Sequence, residues 1–151
     1  PYSRQAAPMI SATIHQRPRS EHRIELLPTA DRPIQVLARL DLSVADAARL
    51  AQLLPRVAIL DLRDETLATA GSVLAACSAA SRTTRILVVS RPGDEEMAAR
   101  CLSAGACAQL SRDCSPAAIA HAAYDIVRGS WHMGATGKRA VATLVGRHSV
   151  R

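Results

Sequence analysis

Short, wholly apolar runs alternate with amphipathic segments along this chain, and that alternation restricts its fold more than any other feature. Two of the runs, Ile86–Val89 and Val57–Leu60, contain no polar residue, and the second stops abruptly at Asp61. A strand that is apolar at every position is buried on both faces, as in parallel sheets that helices cover on both sides. The neighbouring segments Val44–Leu54 and Leu67–Ala80 have the spacing of helices. The pattern therefore predicts an α/β fold.

The same alternation continues over most of the chain and gives five strand–helix units. Because strict alternation implies a parallel sheet with right-handed crossovers, we expect helices on both faces of the sheet. Five units suit the flavodoxin-like strand order 2-1-3-4-5, so the predicted class is a five-stranded (βα)5 domain. The remaining predicted strands are Met9–Ile14, Ile34–Leu37 and Ala108–Leu110. The remaining predicted helices are Arg19–Leu27, Glu95–Ala104 and the segment from Pro116 to about Arg128, with Ser115 as its N-cap.

Topology alone selects the positions at which to look for function. In an open parallel sheet, ligands bind in the crevice outside the carboxyl ends of the strands. The residues just after the predicted strands therefore form the candidate pocket, and they are His15, Gln16, Asp61, Ser90 and Arg112.

The positive charge of the chain lies mostly in its last residues. The 151 residues carry 19 basic and 13 acidic side chains, a formal charge of +6. Five of the basic residues and none of the acidic ones follow residue 127, so the preceding part holds 14 basic and 13 acidic residues. Because that globular part is nearly neutral, its charge gives no reason to expect that it binds nucleic acid itself.

Several function classes find no support in the residues. No Ser-His-Asp spacing, glycine-rich phosphate loop or HExxH motif is present, so we expect neither an enzyme nor a bound cofactor. The four cysteines form no CxxC pair and no histidine is spaced to complete a zinc site, which favours buried thiols in a reducing cytoplasm. No apolar run approaches the ~20 residues that span a bilayer, so no membrane contact is expected.

Three passages resemble the receiver domains of response regulators of the LuxR/NarL/FixJ type. Ala58–Arg63 resembles the strand that ends in the phosphoacceptor aspartate, and Ile86–Ser90 resembles the strand that ends in a hydroxyl residue. Leu102–Ala106 together with Leu110–Pro116 resembles the AGA…LLKDxSP passage of that subfamily. The resemblance covers about residues 9–131 and implies the flavodoxin-like fold already predicted.

The resemblance also implies a role for several candidate residues. Asp61 holds the position of the phosphoacceptor, and Arg112 holds that of a lysine that pairs with the phosphoryl group. The two switch positions fall on Ser90, which keeps the hydroxyl, and on Gln109, where the family has an aromatic ring. We expect Arg112 to form an ion pair with Asp61 at the strand ends, since arginine and a carboxylate can bind through two parallel hydrogen bonds.

The metal site is where the chain departs most from the family pattern. His15 and Gln16 replace the acidic pair that would hold Mg²⁺, and an imidazole and an amide cannot serve as two carboxylates. We therefore expect no metal, although Asp64 and Glu65 leave open a rebuilt cation site with Asp61. His15 either fills the vacated position or titrates near neutrality as a pH sensor.

The resemblance implies a receiver-like regulatory domain of a bacterial transcription factor, and these departures predict that it signals without phosphorylation. By resemblance to atypical receivers, the expected input is a small molecule, such as a pathway product, or a partner protein. The expected output is homodimerisation through Pro116–Arg128 and the helix before it. The resemblance further implies that residues 1–131 form this domain and that the basic residues 132–151 lead to a helix-turn-helix domain beyond this chain, which alone would bind DNA. The alternative is a conventional receiver that is phosphorylated on Asp61.

Overall fold

A parallel sheet of six strands forms the centre of the structure, a computed structural model that describes residues 7–111, 114–130, 132–133, 138–139, 141–142 and 145. The strands are β1 (Ile10–His15), β2 (Ile34–Leu40), β3 (Val57–Asp61), β4 (Arg85–Ser90), β5 (Ala108–Ser111) and β6 (His132–Met133). Their order across the sheet is β2-β1-β3-β4-β5-β6. The predicted α/β class and the order 2-1-3-4-5 are confirmed, and β6 adds a two-residue edge strand beside β5.

The helices among the described residues are α1 (Val44–Ala48), α2 (Leu50–Leu53), α3 (Leu67–Ala80), α4 (Glu95–Ser103) and α5 (Pro116–Val127). Polar side chains begin the three longer ones: Thr66, Asp94 and Ser115 each accept a hydrogen bond from a backbone N–H in the first turn. Ser115 and Pro116 thus open α5 as predicted. In the described part of the chain, no helix is long and apolar enough to cross a bilayer.

The predicted helix Val44–Leu54 is divided into α1 and α2. At Arg49 the backbone N–H bonds to the carbonyl of Asp46, three residues back, which tightens the turn and ends α1. Leu54 has a φ of 45°, and its left-handed conformation ends α2.

The segment between β1 and β2, which we call the β1–β2 loop (residues 16–33), contains no helix, so the predicted helix Arg19–Leu27 is wrong. Only Ile24 is buried in this loop, at 4% exposure, whereas Leu27 is 61% exposed. A single buried side chain is too little apolar surface to hold a helix against the sheet. The N–H of Ile24 donates instead to Oε1 of Gln16, so a side-chain oxygen accepts the hydrogen bond that a backbone carbonyl would accept in a helix.

Apolar residues form two clusters, one on each face of the sheet. One cluster, on what we call the α5 face, packs the sheet against α5 and includes Ile24, Ile59 and Val89. The other, on the α3 face, packs the sheet against α1–α4 and includes Leu60 and Val88. Because side chains alternate along a strand, neighbouring positions on β3 and β4 face opposite clusters. The same alternation decides on which face each candidate residue lies.

Candidate functional site

The carboxyl ends of the strands bring together two of the five candidate pocket residues, Gln16 and Asp61. Nε2 of Gln16 donates to Oδ2 of Asp61 at 2.7 Å, and Asp61 is only 6% exposed. His15 and Ser90 end their strands at the same edge, but the alternation of side chains places them on the α3 face. Arg112 lies outside the described residues, so its pairing with Asp61 stays a prediction.

The strongest partner of Asp61 is Arg63, to which the sequence analysis assigned no role. Nε of Arg63 donates to Oδ1 at 2.7 Å and Nη2 donates to Oδ2 at 2.6 Å, which makes a bidentate ion pair. The backbone N–H of Arg63 also donates to Oδ1, at 3.2 Å. Arg63 is 9% exposed, so the pair is largely withdrawn from water. The hydrogen bond to Asp61 raises the pKa of Arg63 above its ordinary value, so the guanidinium stays charged.

Gln16 ties the β1–β2 loop to this ion pair. Its Nε2 also donates to the carbonyl of His22 at 2.5 Å, and its Oε1 accepts from the N–H of Ile24 at 2.9 Å. Nη2 of Arg63 donates to the same His22 carbonyl at 2.5 Å. The loop, the end of β3 and the guanidinium are therefore joined in one set of contacts, which we call the Asp61 network (Gln16, His22, Asp61 and Arg63).

The acids that follow Asp61 are each paired with an arginine. Nε of Arg17 lies 2.7 Å from Oε1 of Glu65, and Nη2 of Arg91 lies 3.3 Å from Oδ1 of Asp64. Within the described ranges, no group of three or more acidic, histidine or cysteine side chains could hold a metal ion. The alternative cation site of Asp61, Asp64 and Glu65 does not form.

Mg²⁺, the ion that the family resemblance implies for this place, does not fit these residues. The ion needs several oxygen ligands in near-octahedral geometry. Both oxygens of Asp61 accept N–H donors, and Gln16 turns its amide nitrogen toward the carboxylate. The charge of Arg63 stands where a cation would have to approach, and a single and a double positive charge ~4 Å apart repel each other by roughly 2–8 kcal/mol in a partly hydrated setting.

His15 is a buried, neutral histidine. It has no exposed surface, and its Nε2 lies 3.0 Å from Oγ1 of Thr13. Its Nδ1 has no hydrogen-bond partner in the part of the chain that the structure describes. Burial lowers the pKa of His15 from 6.5 to about 4. A residue of this kind does not change charge near neutrality, which speaks against the pH-sensor interpretation and for a side chain that fills space.

The two residues at the switch positions contact each other. Nε2 of Gln109 donates to Oγ of Ser90 at 2.7 Å, and neither residue has exposed surface. The paired positions Val88 and Gln109 point to the same face, so this contact lies on the α3 face. The Ser90 hydroxyl thus accepts a hydrogen bond on the α3 face, whereas Asp61 lies on the α5 face.

Solved structures identify the known fold to which this chain corresponds. The signal receiver domain of the response regulator NarL from Mycobacterium tuberculosis matches with a TM-score of 0.63 and 21% identity, over 80% of this chain and 97% of that one. A LuxR-family two-component response regulator from an Aurantimonas species matches with a TM-score of 0.65 and 15% identity, over 90% and 97% of the two chains. No protein-family profile and no curated protein sequence matches the chain.

RcsB is a further protein of known structure that this chain resembles. The isolated REC domain of RcsB from Salmonella enterica serovar Typhimurium, in the presence of the phosphomimetic BeF3⁻, matches with a TM-score of 0.66 and 14% identity, over 88% of this chain and 99% of that one. RcsB dimers bound to two parallel DNAs match with a TM-score of 0.64 and 14% identity, over 87% of this chain and 66% of the RcsB chain. These likenesses establish that the chain has the receiver fold.

Proposed function

We propose that this chain is a receiver-like regulatory domain of a bacterial transcription factor and that it signals without accepting a phosphoryl group. The fold supports the first part of the proposal. The observation that carries the second part is the bidentate ion pair between Arg63 and Asp61.

This ion pair opposes phosphorylation because the reaction needs a free carboxylate oxygen as nucleophile. Oδ1 of Asp61 accepts from the side chain and the backbone of Arg63, and Oδ2 accepts from Arg63 and Gln16. Lone pairs held by a charged donor in a buried setting are weak nucleophiles. Attack on phosphorus would first require separation of the pair, and the scale of that obstacle is given by the loss of one partner from a buried ion pair, which costs roughly 3–5 kcal/mol.

Arg63 also offers a substitute for the charge that a metal would bring. Its guanidinium is tethered to the chain two residues beyond Asp61 and holds the carbonyl of His22 as well. The Asp61 network would therefore hold the ends of β1 and β3 in one arrangement whether or not a phosphodonor is present. In this account the domain is a binding module rather than an enzyme.

The proposed output is homodimerisation coupled to a separate DNA-binding domain, in the cytoplasm. The support is RcsB, which was solved as dimers bound to DNA. We propose α5 and α4 as the dimer surface and residues 132–151 as a basic linker to a helix-turn-helix domain. The charges in that linker would favour a position close to DNA phosphates, and those beyond residue 131 are Lys138, Arg139, Arg147 and Arg151.

The test is incubation of the chain with acetyl phosphate and Mg²⁺, followed by intact-mass measurement. We expect no gain of a phosphoryl group, because neither the nucleophile nor the metal ligands are available. Asp61→Asn, which removes the nucleophile, is the matched control and should likewise show no gain of a phosphoryl group. A stoichiometric mass gain in the native chain that disappears in Asp61→Asn would instead establish the conventional, phosphorylated receiver.

A further inference from the structure

A cavity of about 620 Å³, which we call the amino-end recess, lies at the amino ends of β4 and β5, beside the last turn of α3. Residues within 78–86 and 105–107 line it. Three of them are buried, because Ser81, Thr84 and Ile86 are 6%, 8% and 4% exposed. The recess lies at the edge of the sheet opposite the Asp61 network, so it is separate from the site described above.

Three arginines at this edge have no acidic partner. Arg82 and Arg85 line the recess, and Arg56 adjoins them because its carbonyl accepts from the backbone N–H of Arg85 at 2.9 Å. All three are exposed, and within the described residues none of their guanidinium groups forms an ion pair or a hydrogen bond. Seven arginines elsewhere in the described ranges do pair with acids, and they are Arg17, Arg23, Arg32, Arg39, Arg63, Arg91 and Arg139.

The surroundings of the recess leave this positive charge largely unbalanced. The chain has no acidic residue in positions 47–60, 66–93 or 97–112, and none of the described residues that line the recess is acidic. The carboxyl ends of α3 and α4 lie near this edge, and each carries the equivalent of about half a negative charge. Two such ends offset about one of the three arginine charges, so a net charge of about +2 remains.

Internal hydrogen bonds fix the turn that carries Arg82. Oγ1 of Thr84 donates to the carbonyl of Pro55 at 2.7 Å, and the hydroxyls of Ser81 and Thr84 lie 2.7 Å apart. Because a hydroxyl has only one proton to donate, Ser81 must be the donor to Thr84. The N–H of Ser81 also bonds to the carbonyl of Cys77 at 3.0 Å. The turn is therefore held in place before a partner arrives, which lowers the entropic cost of binding.

We propose that the amino-end recess binds an acidic segment of a partner protein, two of whose carboxylates pair with Arg82 and Arg85. The planar fork of a guanidinium matches a carboxylate through two parallel hydrogen bonds. A DNA duplex is a stiff rod that can reach exposed arginines but cannot enter the recess, whereas side chains of an extended peptide fit a space of this size. The inference rests on the proposed function, because it names a partner that such a binding module would receive as its input.

The test is an NMR titration of the chain with a short capped peptide of alternating glycine and glutamate. In an extended peptide this alternation places the carboxylates on one side. We expect saturable shifts of the backbone amides of Arg82, Arg85 and Cys107, and an affinity that falls as salt is added. A peptide with glutamine in place of each glutamate has the same length without the charge and should bind at least about tenfold more weakly.

A short DNA duplex is titrated in the same way, and it should leave the amide of Cys107 unshifted. Three results would overturn the proposal. They are the absence of saturable shifts with the glutamate peptide, equal affinity for the two peptides, and shifts of the recess amides by the duplex that match those caused by the peptide.

Arg82→Gln and Arg85→Gln, measured singly, test the two arginines. Each variant should bind the glutamate peptide about fivefold more weakly than the native chain. Arg19→Gln is the matched control, because Arg19 is an exposed arginine at the opposite edge of the sheet, beside Asp61, and should leave the affinity unchanged. Unchanged affinity in either recess variant, or an equal fall in Arg19→Gln, would contradict the proposal. The comparison of the two peptides uses the native chain, so it does not depend on whether a variant folds.

The failure of this proposal and that of the proposed function are distinguishable. Phosphorylation of Asp61 by acetyl phosphate would overturn phosphorylation-independent signalling and leave the peptide result as it is. A titration without binding would remove the acidic partner and leave the Arg63–Asp61 ion pair intact.

Discussion

Replacement of Arg63 by methionine should destabilise the fold by about 3 kcal/mol. The substitution leaves the carboxylate of Asp61, which is 6% exposed, without its counter-charge. Breaking a buried ion pair from one side costs roughly 3–5 kcal/mol. Asp61 keeps the hydrogen bonds from Gln16 Nε2 and from the backbone N–H of residue 63, and these place the cost at the lower end of that range.

A second substitution at Asp61 should then recover most of the lost stability. The double variant Arg63→Met, Asp61→Asn contains no buried charge at this site, and replacement of a whole buried pair is often close to neutral. We expect its free energy of unfolding to lie within about 1 kcal/mol of the native value. The second substitution should stabilise, because it removes a carboxylate that Arg63→Met leaves buried without a counter-charge.

Urea unfolding followed by far-ultraviolet circular dichroism measures these free energies. Arg23→Met is the matched control, since Arg23 pairs with Glu25 where the two side chains are 66% and 57% exposed. Such an exposed pair contributes about 0–1 kcal/mol. The reasoning is refuted if Arg63→Met costs no more than Arg23→Met, or if Asp61→Asn lowers stability further when it is added to Arg63→Met.

Three further predictions concern His15, the Asp61 network and the buried cysteines. Burial lowers the pKa of His15 from 6.5 to about 4, so between these pH values the unfolded chain binds a proton that the folded chain does not. The free energy of unfolding should therefore fall by up to about 3 kcal/mol as the pH drops from 6.5 toward 4. His15→Gln should reduce this dependence of the urea midpoint on pH, and an unchanged dependence would contradict the prediction. Gln16→Asp combined with Arg63→Asn restores oxygen ligands and removes the guanidinium, so calorimetric titration should show Mg²⁺ binding in this variant. If the variant does not bind Mg²⁺, the charge of Arg63 is not what excludes the ion. Burial raises the pKa of Cys77 and Cys101 to about 11 and about 12, so both thiols should react with an aromatic disulfide reagent only after urea is added, whereas rapid reaction in the native chain would show that they are accessible.

The strands of this fold could be predicted because their residues are apolar at every position. Val57–Asp61 and Arg85–Ser90 lie within one residue of their predicted bounds, and the strand order follows from the alternation with helices. The segment Arg19–Leu27 misled the prediction because its apolar residues Ile24 and Leu27 have helical spacing, although only Ile24 of these two is buried. Tertiary contacts from Gln16 decided its conformation, and no local pattern in the sequence shows them.

The candidate site was predictable in part for the same reason. Topology places Gln16 and Asp61 at one edge of the sheet, where they do form a hydrogen bond. Topology alone groups residues by the end of the strand and not by the face of the sheet, and so it placed His15 and Ser90 in the same pocket as Asp61, although these three residues end their strands on different faces. Arg63 escaped notice because its contact with Asp61 depends on the turn after β3, although its position two residues further on was a usable signal.

The central claim is that the guanidinium of Arg63, rather than a metal or a phosphoryl group, is the counter-charge of Asp61. An NMR titration of the native chain with Mg²⁺ and beryllofluoride, which follows the Nε–H signal of Arg63, tests it most directly. We expect a resolved Nε–H signal that exchanges slowly with water and keeps its position throughout the titration. A saturable shift or loss of that signal on addition of Mg²⁺ and beryllofluoride would contradict it.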